Sequence, residues 1–298
     1  MTELRALYPN DRAMLREVGL RDGRQLVKTF PSMATKLEWI KREYTAGVRH
    51  CEIGSFLPAP RMPQFADERE LIAKVRKLEE AFSSALALNE HGAADVLDTK
   101  VDEIVCVVSA TEEHSHANTR RSRSAAVELV RKTAAFRDAS VHKPVFMAGI
   151  AMAFGCSVSE PVAQSAVLQR TEQCLTAGVD VVGVADTAGF AGPNQVAELS
   201  RKIQGICGAR PYNIHPHDTR GLGLANSSAT LDIGARIIDG ALGDLGGCPF
   251  APGASGSIVF EDLIFLCETK GIPTGGDGET LTGVRIITKK EMPDKHFY

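Results

Sequence analysis

Two histidines one residue apart, His215-Pro216-His217, carry the sharpest chemical signal in this sequence. Side chains alternate along an extended strand, so both imidazoles project to the same side. Two neutral imidazoles joined by a carboxylate make a partial divalent-metal shell, a donor set that suits Mg, Mn, Fe, Co or Zn. The carboxylate on offer is Asp22, in the triplet Arg21-Asp22-Gly23. Taken singly, a His-x-His can also just cap loops, and an Arg-Asp-Gly often marks a surface turn. Together they give Asp22, His215 and His217 to a metal and aim Arg21 at an oxygen that gains negative charge, such as an enolate.

Glu52 interrupts an otherwise apolar run. A buried carboxylate needs a partner, and Arg21 is the natural one. Cys248 lies in the Gly/Pro-rich stretch Gly246–Gly256, whose composition marks a segment able to close over a ligand. A thiol brought near a metal and a guanidinium has a lowered pKa and can exchange protons. Asp186 ends a further apolar run.

Short apolar runs rich in β-branched residues must position these groups. Candidate strands are Met14–Val18, Val48–Ile53, Ser84–Leu88, Glu103–Val108, Val145–Ala151, Val179–Ala185, Tyr212–His217 and Ile237–Leu242. Amphipathic stretches between them, at Lys36–Ala46, Asp67–Glu80, Ser122–Arg137, Glu160–Ala177 and Asn194–Gln204, predict helices. Thr45-Ala46-Gly47-Val48 is echoed by Thr176-Ala177-Gly178-Val179, each a helix end handing over to a strand through Gly. Strands alternating with helices and no long linker predict an α/β fold, a (β/α)8 TIM barrel, in preference to an open doubly wound sheet. In such a barrel the reactive groups gather at the C-terminal strand ends, which is where the residues named above fall. No G-x-G-x-x-G or Walker A loop follows an early strand, so nucleotide binding of those kinds lacks support.

Length suits one TIM-barrel domain over 1–298, with the cysteine-bearing loop at about 246–257 and an extension after about 275. A net charge of -3 leaves no electrostatic footprint for nucleic acid. The one basic patch, Arg120, Arg121 and Arg123, reads as a solvated helix face. Seven scattered cysteines without C-x-x-C pairs suggest neither disulfides nor a zinc knuckle, and suit a reducing compartment. The charged N-terminus is no secretory signal, and no apolar run reaches the ~18–20 residues of a membrane span. The expectation is a soluble, cytoplasmic enzyme.

The combined motifs resemble the 3-hydroxy-3-methylglutaryl-CoA (HMG-CoA) lyase family. They are Glu17-Val18-Gly19-Leu20-Arg21-Asp22-Gly23-Arg24-Gln25, Glu52 with Ser55-Phe56, Asp186-Thr187-Ala188-Gly189, His215-Pro216-His217-Asp218-Thr219 and the cysteine loop Leu245–Gly256. The resemblance runs from about residue 14 to 275. It implies a TIM-barrel metallolyase that uses Mg2+ or Mn2+, cleaves an acyl-CoA substrate to acetyl-CoA and a keto acid, serves leucine degradation and forms a homodimer. It implies Asp22, His215 and His217 as metal ligands, Arg21 as enolate stabiliser, Glu52 as its partner and Cys248 as the loop thiol. Gln25, Asn118, Asp186 and Thr187 match further substrate-binding positions. Either Asp22 or Cys248 could be the base. The family loop usually continues with an Asn that ligates the metal, and here that position is Ser257, a candidate but weaker donor. Arg24, Leu26 and Pro216 also depart from the family pattern, which points to a different 3-hydroxy acyl-CoA or a weakened activity. Competing readings are a Claisen-type acyltransferase of the isopropylmalate or homocitrate synthase kind, and a barrel that keeps the site without turnover.

Overall fold

A computed structural model describes residues 2–293, apart from 59, 160, 248–249 and 251–255. Eight parallel strands close into a barrel in chain order. They are β1 Met14–Glu17, β2 His50–Ser55, β3 Phe82–Leu86, β4 Glu103–Ser109, β5 Val145–Ala151, β6 Val181–Asp186, β7 Tyr212–Pro216 and β8 Ile237–Gly240. All eight predicted strands form, with ends moved by a few residues at most.

The helices are α1 Thr2–Leu7, α2 Met33–Thr45, α3 Glu68–Val75, α4 Glu90–Leu97, α5 Glu112–Thr119, α6 Arg123–Ala139, α7 Gln164–Thr176, α8 Pro193–Cys207, α9 Gly223–Asp232, α10 Phe260–Thr269, α11 Gly278–Thr282 and α12 Arg285–Glu291. Local chemistry sets their ends. The side chains of Ser32, Asn89, Thr111 and Ser122 each accept a hydrogen bond from a backbone N–H in the first turn of α2, α4, α5 and α6. Pro193 opens α8, as its fixed φ favours. Gly47 and Gly178, the repeated helix-to-strand glycines, both take positive φ.

Two layers of core result. The larger packs the outer faces of the strands against the helices, with Trp39, Leu71, Ile104, Phe146 and Leu199 fully or almost fully buried. The smaller fills the barrel: Leu86, Val105, Met147, Val181 and Ile237 pack under Tyr8, with Leu4 and Leu7 of α1 against them. The N-terminal segment thus plugs the bottom of the barrel and leaves the C-terminal strand ends open.

The basic patch is not the solvated face expected. Arg121 donates to Leu88 O at 2.8 Å, and Arg123 donates to Ala110 O and pairs with Glu112, so both pin α5 and α6 to the strand ends. Arg120 alone is exposed. Each of the six described cysteines is buried and free. No described helix is long and apolar enough to cross a membrane.

Candidate active site and metal centre

The chain leaves β1 through a tight π-type turn, Gly19–Gly23, closed by Asp22 N–H donating to Val18 O at 2.7 Å. That turn puts Arg21 and Asp22 at the mouth. Arg21 Nε donates to Glu52 Oε2 and its Nη1 donates to Asp22 Oδ1, both at 2.7 Å. Planar guanidinium held at two edges by carboxylates loses little further freedom when a ligand binds. Glu52 is almost fully buried at the second strand, so its charge is committed to Arg21.

The two imidazoles face each other from β7 and the residue after it. His215 Nε2 and His217 Nε2 are 3.0 Å apart, and His217 Nε2 is 4.0 Å from Asp22 Oδ2. One donor atom from each of Asp22, His215 and His217 lies within 4.8 Å of the others. Adjacent donors about 2.1 Å from a shared octahedral cation sit roughly 3 Å apart, so the imidazole spacing fits a metal. The protonation pattern fits at two of the three donors. Burial raises the Asp22 pKa, but the neighbouring Arg21, His215 and His217 charges and the Ser257 hydrogen bond outweigh it, and the carboxyl is held below its usual range. Burial, reinforced by the His215 charge, pushes His217 down to about 4 and keeps it neutral. His215 moves the other way: burial lowers it, yet the hydrogen bond and charge of Asp239 raise it on balance.

Ser257 is fully buried at this centre. Its hydroxyl donates to Asp22 Oδ2 at 3.2 Å, and its backbone bridges that of His217. The cysteine loop is rooted at the same point. Gly246 and Gly256 press together so closely that a Cβ on Gly256 would lie 2.5 Å from Gly246 Cα, and a Cβ on Gly246 would lie 3.3 Å from Asp22 Oδ2. Cys248 itself lies outside the described residues.

The other expected site residues divide. Gln25, Asn118 and Thr187 line the cavity over the two imidazoles, and Thr187 Oγ1 accepts from Met152 N at 2.9 Å. Asp186 does not line it. Its carboxylate turns into the following loop and accepts from Phe190 N at 2.8 Å and Ala191 N at 3.1 Å, so it shapes the loop that carries Thr187. Two further groups face the cavity without having been expected. His114 on α5 bonds Ser109 Oγ through Nδ1 at 2.8 Å, and its ring meets Phe250 of the cysteine loop edge-on at 4.7 Å. Asp239 of β8 stands behind His215, with Oδ2 2.9 Å from Nδ1. A carboxylate in the middle of an apolar strand was its visible signal, the same one that marked Glu52.

The HMGL-like family model matches residues 12–287. A hydroxymethylglutaryl-CoA lyase of Bacillus subtilis is 30% identical, covering 96% of this chain and 94% of its own. The (R)-citramalyl-CoA lyase of Chloroflexus aurantiacus is 34% identical, covering 88% and 85%. Among solved structures, an HMG-CoA lyase from Acenitobacter baumannii in complex with coenzyme A and 3-methylmalate has a TM-score of 0.89 at 32% identity, covering 96% of this chain and 92% of that one.

Proposed function

The chain belongs to the HMGL-like family, and on that premise we propose that it cleaves HMG-CoA, or a related 3-hydroxy acyl-CoA, at a divalent-metal centre. It is a carbon–carbon lyase. With HMG-CoA the products are acetyl-CoA and acetoacetate. The observation that carries the reading is one cluster: Arg21, clamped at 2.7 Å by Glu52 and by Asp22, beside the converging donors of Asp22, His215 and His217.

A Mg2+ or Mn2+ ion held by those donors would supply a Lewis acid that orients and acidifies the substrate's tertiary hydroxyl. The residues of the chain do the rest. Loss of the hydroxyl proton turns that carbon into a ketone, the adjacent carbon–carbon bond breaks, and its electron pair passes to the thioester as an enolate. Arg21 is preorganised to meet the enolate oxygen, which is worth most in a site shielded from water. Asp22 is a poor base, because Arg21 takes one of its oxygens and Ser257 the other. We assign the proton relay to Cys248, whose thiolate would take up the hydroxyl proton and then return a proton to the enolate carbon. Gln25, Asn118 and Thr187 offer amides and a hydroxyl to the bound acyl group. Ser257, whose hydroxyl donates to Asp22 Oδ2, would act by holding that carboxylate in place rather than as a ligand. A homodimer in the cytoplasm is part of the same proposal.

The identity to a citramalyl-CoA lyase favours one related substrate. Metal-dependent release of acetyl-CoA should therefore be measured from HMG-CoA and (R)-citramalyl-CoA in parallel. Release from either supports the lyase and ranks the substrates. Condensation of a 2-oxo acid with acetyl-CoA, with no release, would replace it by a Claisen-type acyltransferase. Silence in both directions with intact metal binding would mark a barrel without turnover.

A further inference from the structure

The inside of the barrel is not apolar throughout. Below the proposed metal ligands, Arg16 of β1, Glu103 of β4, Asn213 of β7 and Asp239 of β8 meet with their side chains buried. Strand register sets Arg16 beside Asp239. Arg16 Nε is 3.2 Å from Asp239 Oδ1, and Arg16 Nη1 is 3.0 Å from Glu103 Oε2. Asn213 Nδ2 donates to the same Asp239 Oδ1 at 2.7 Å, and the Tyr8 hydroxyl donates to Glu103 Oε1 at 3.2 Å. The remaining Asp239 oxygen faces His215 Nδ1.

Charges in a barrel core are costly to desolvate, so packing gives no reason for them. Asp239 is the acid at the centre of the cluster: Asn213 donates to one of its oxygens, which Arg16 also faces, and His215 meets the other. The proton of a ligating histidine is placed by whatever its other nitrogen bonds.

We infer that Asp239 is a positioning residue for the metal centre, holding neutral His215 with its proton on Nδ1 and Nε2 bare toward His217, while Arg16 and Asn213 hold Asp239 in turn. This rests on the metal reading above. His217 is placed differently, through its backbone bridge to Ser257, and its Nδ1 has no hydrogen-bond partner among the described residues. An amide at 239 would face Arg16, Asn213 and His215 with one acceptor and one donor group. Either donor meets donor, or His215 flips to the tautomer with its proton on Nε2 and cannot ligate.

The test joins nitrogen NMR of His215 in the metal-free protein, at alkaline pH where the ring is neutral, with Mn2+ titration calorimetry of wild type and Asp239→Asn. The expected results are an Nδ1-protonated His215 in wild type and Mn2+ affinity lowered about 10–100-fold in the variant. Wild type binding Mn2+ with His215 protonated on Nε2 would overturn the inference alone, as would a folded Asp239→Asn with affinity within threefold of wild type. The NMR result needs no variant and so stands if Asp239→Asn fails to fold. Wild type that binds no Mn2+ would overturn the metal reading and this inference together.

Discussion

Arg21 and Glu52 meet across the first two strands, Nε to Oε2 at 2.7 Å, with the carboxylate almost fully buried beneath the guanidinium. The pair turns a flexible side chain into a fixed cation at the mouth, because the Glu52 oxygen and the neighbouring Asp22 oxygen define its plane. Arg21→Met should lower kcat by roughly 10²–10³-fold, the range seen when one preorganised donor to a developing oxyanion is lost. Mn2+ affinity should change little. Steady-state kinetics with calorimetry on one preparation decides it; an equal loss in both would make Arg21 a support for Asp22 only.

Glu52→Gln keeps the shape of that contact but removes its charge. The guanidinium stays in place more loosely, so kcat should fall by less than in Arg21→Met, on the order of tenfold. A variant with wild-type kcat would show that Asp22 alone suffices to orient Arg21.

Ser257 separates a hydrogen-bonding role from ligation. A hydrogen bond to a charged group contributes about 1.5–3 kcal/mol, so Ser257→Ala should weaken Mn2+ binding by roughly 10–100-fold at most. A loss well beyond a hundredfold would make the hydroxyl a metal ligand and contradict the role proposed for it.

Much of this was legible from the sequence for specific reasons. The strands are short apolar runs that parallel pairing buries on both faces, and the His-x-His period fixes which way both rings point. Helices were less legible where amphipathicity is weak: α5 is almost wholly polar, Glu112–Thr119, and α9 is built largely of small residues, Gly223–Asp232. Asp186 ends β6 as expected, but the direction of its carboxylate was not legible, because it depends on the loop folding back to offer Phe190 and Ala191 amides. Arg16 and Asp239 lie 223 positions apart and meet only because β8 closes onto β1, a register that one sequence does not display.

The outer face of β1 gives a pH prediction away from the metal. Glu17 is buried against α2 and α10, accepting from Gly19 N and Leu242 N near Glu43 and Glu261. Burial pushes its carboxyl up from 4.5 to about 7, the backbone hydrogen bonds opposing. Between those values the folded chain holds a proton that the unfolded chain has released. The resulting stability is full below the unfolded pKa and is lost as pH rises through about 7. Glu17→Gln cannot lose it, so its melting temperature relative to wild type should climb from about pH 5 to pH 8. A difference that stays flat across that window would mean Glu17 is charged in the folded protein throughout.

The most direct measurement is a titration of metal-free protein with Mn2+ while acetyl-CoA release from HMG-CoA or (R)-citramalyl-CoA is followed, alongside His217→Ala. Turnover should rise with added Mn2+, level off at one ion per chain, and be absent from the variant at the same concentrations. Release that needs no metal, or a His217→Ala protein that titrates and turns over like wild type, would contradict a cation held jointly by Asp22, His215 and His217 as the centre of the reaction.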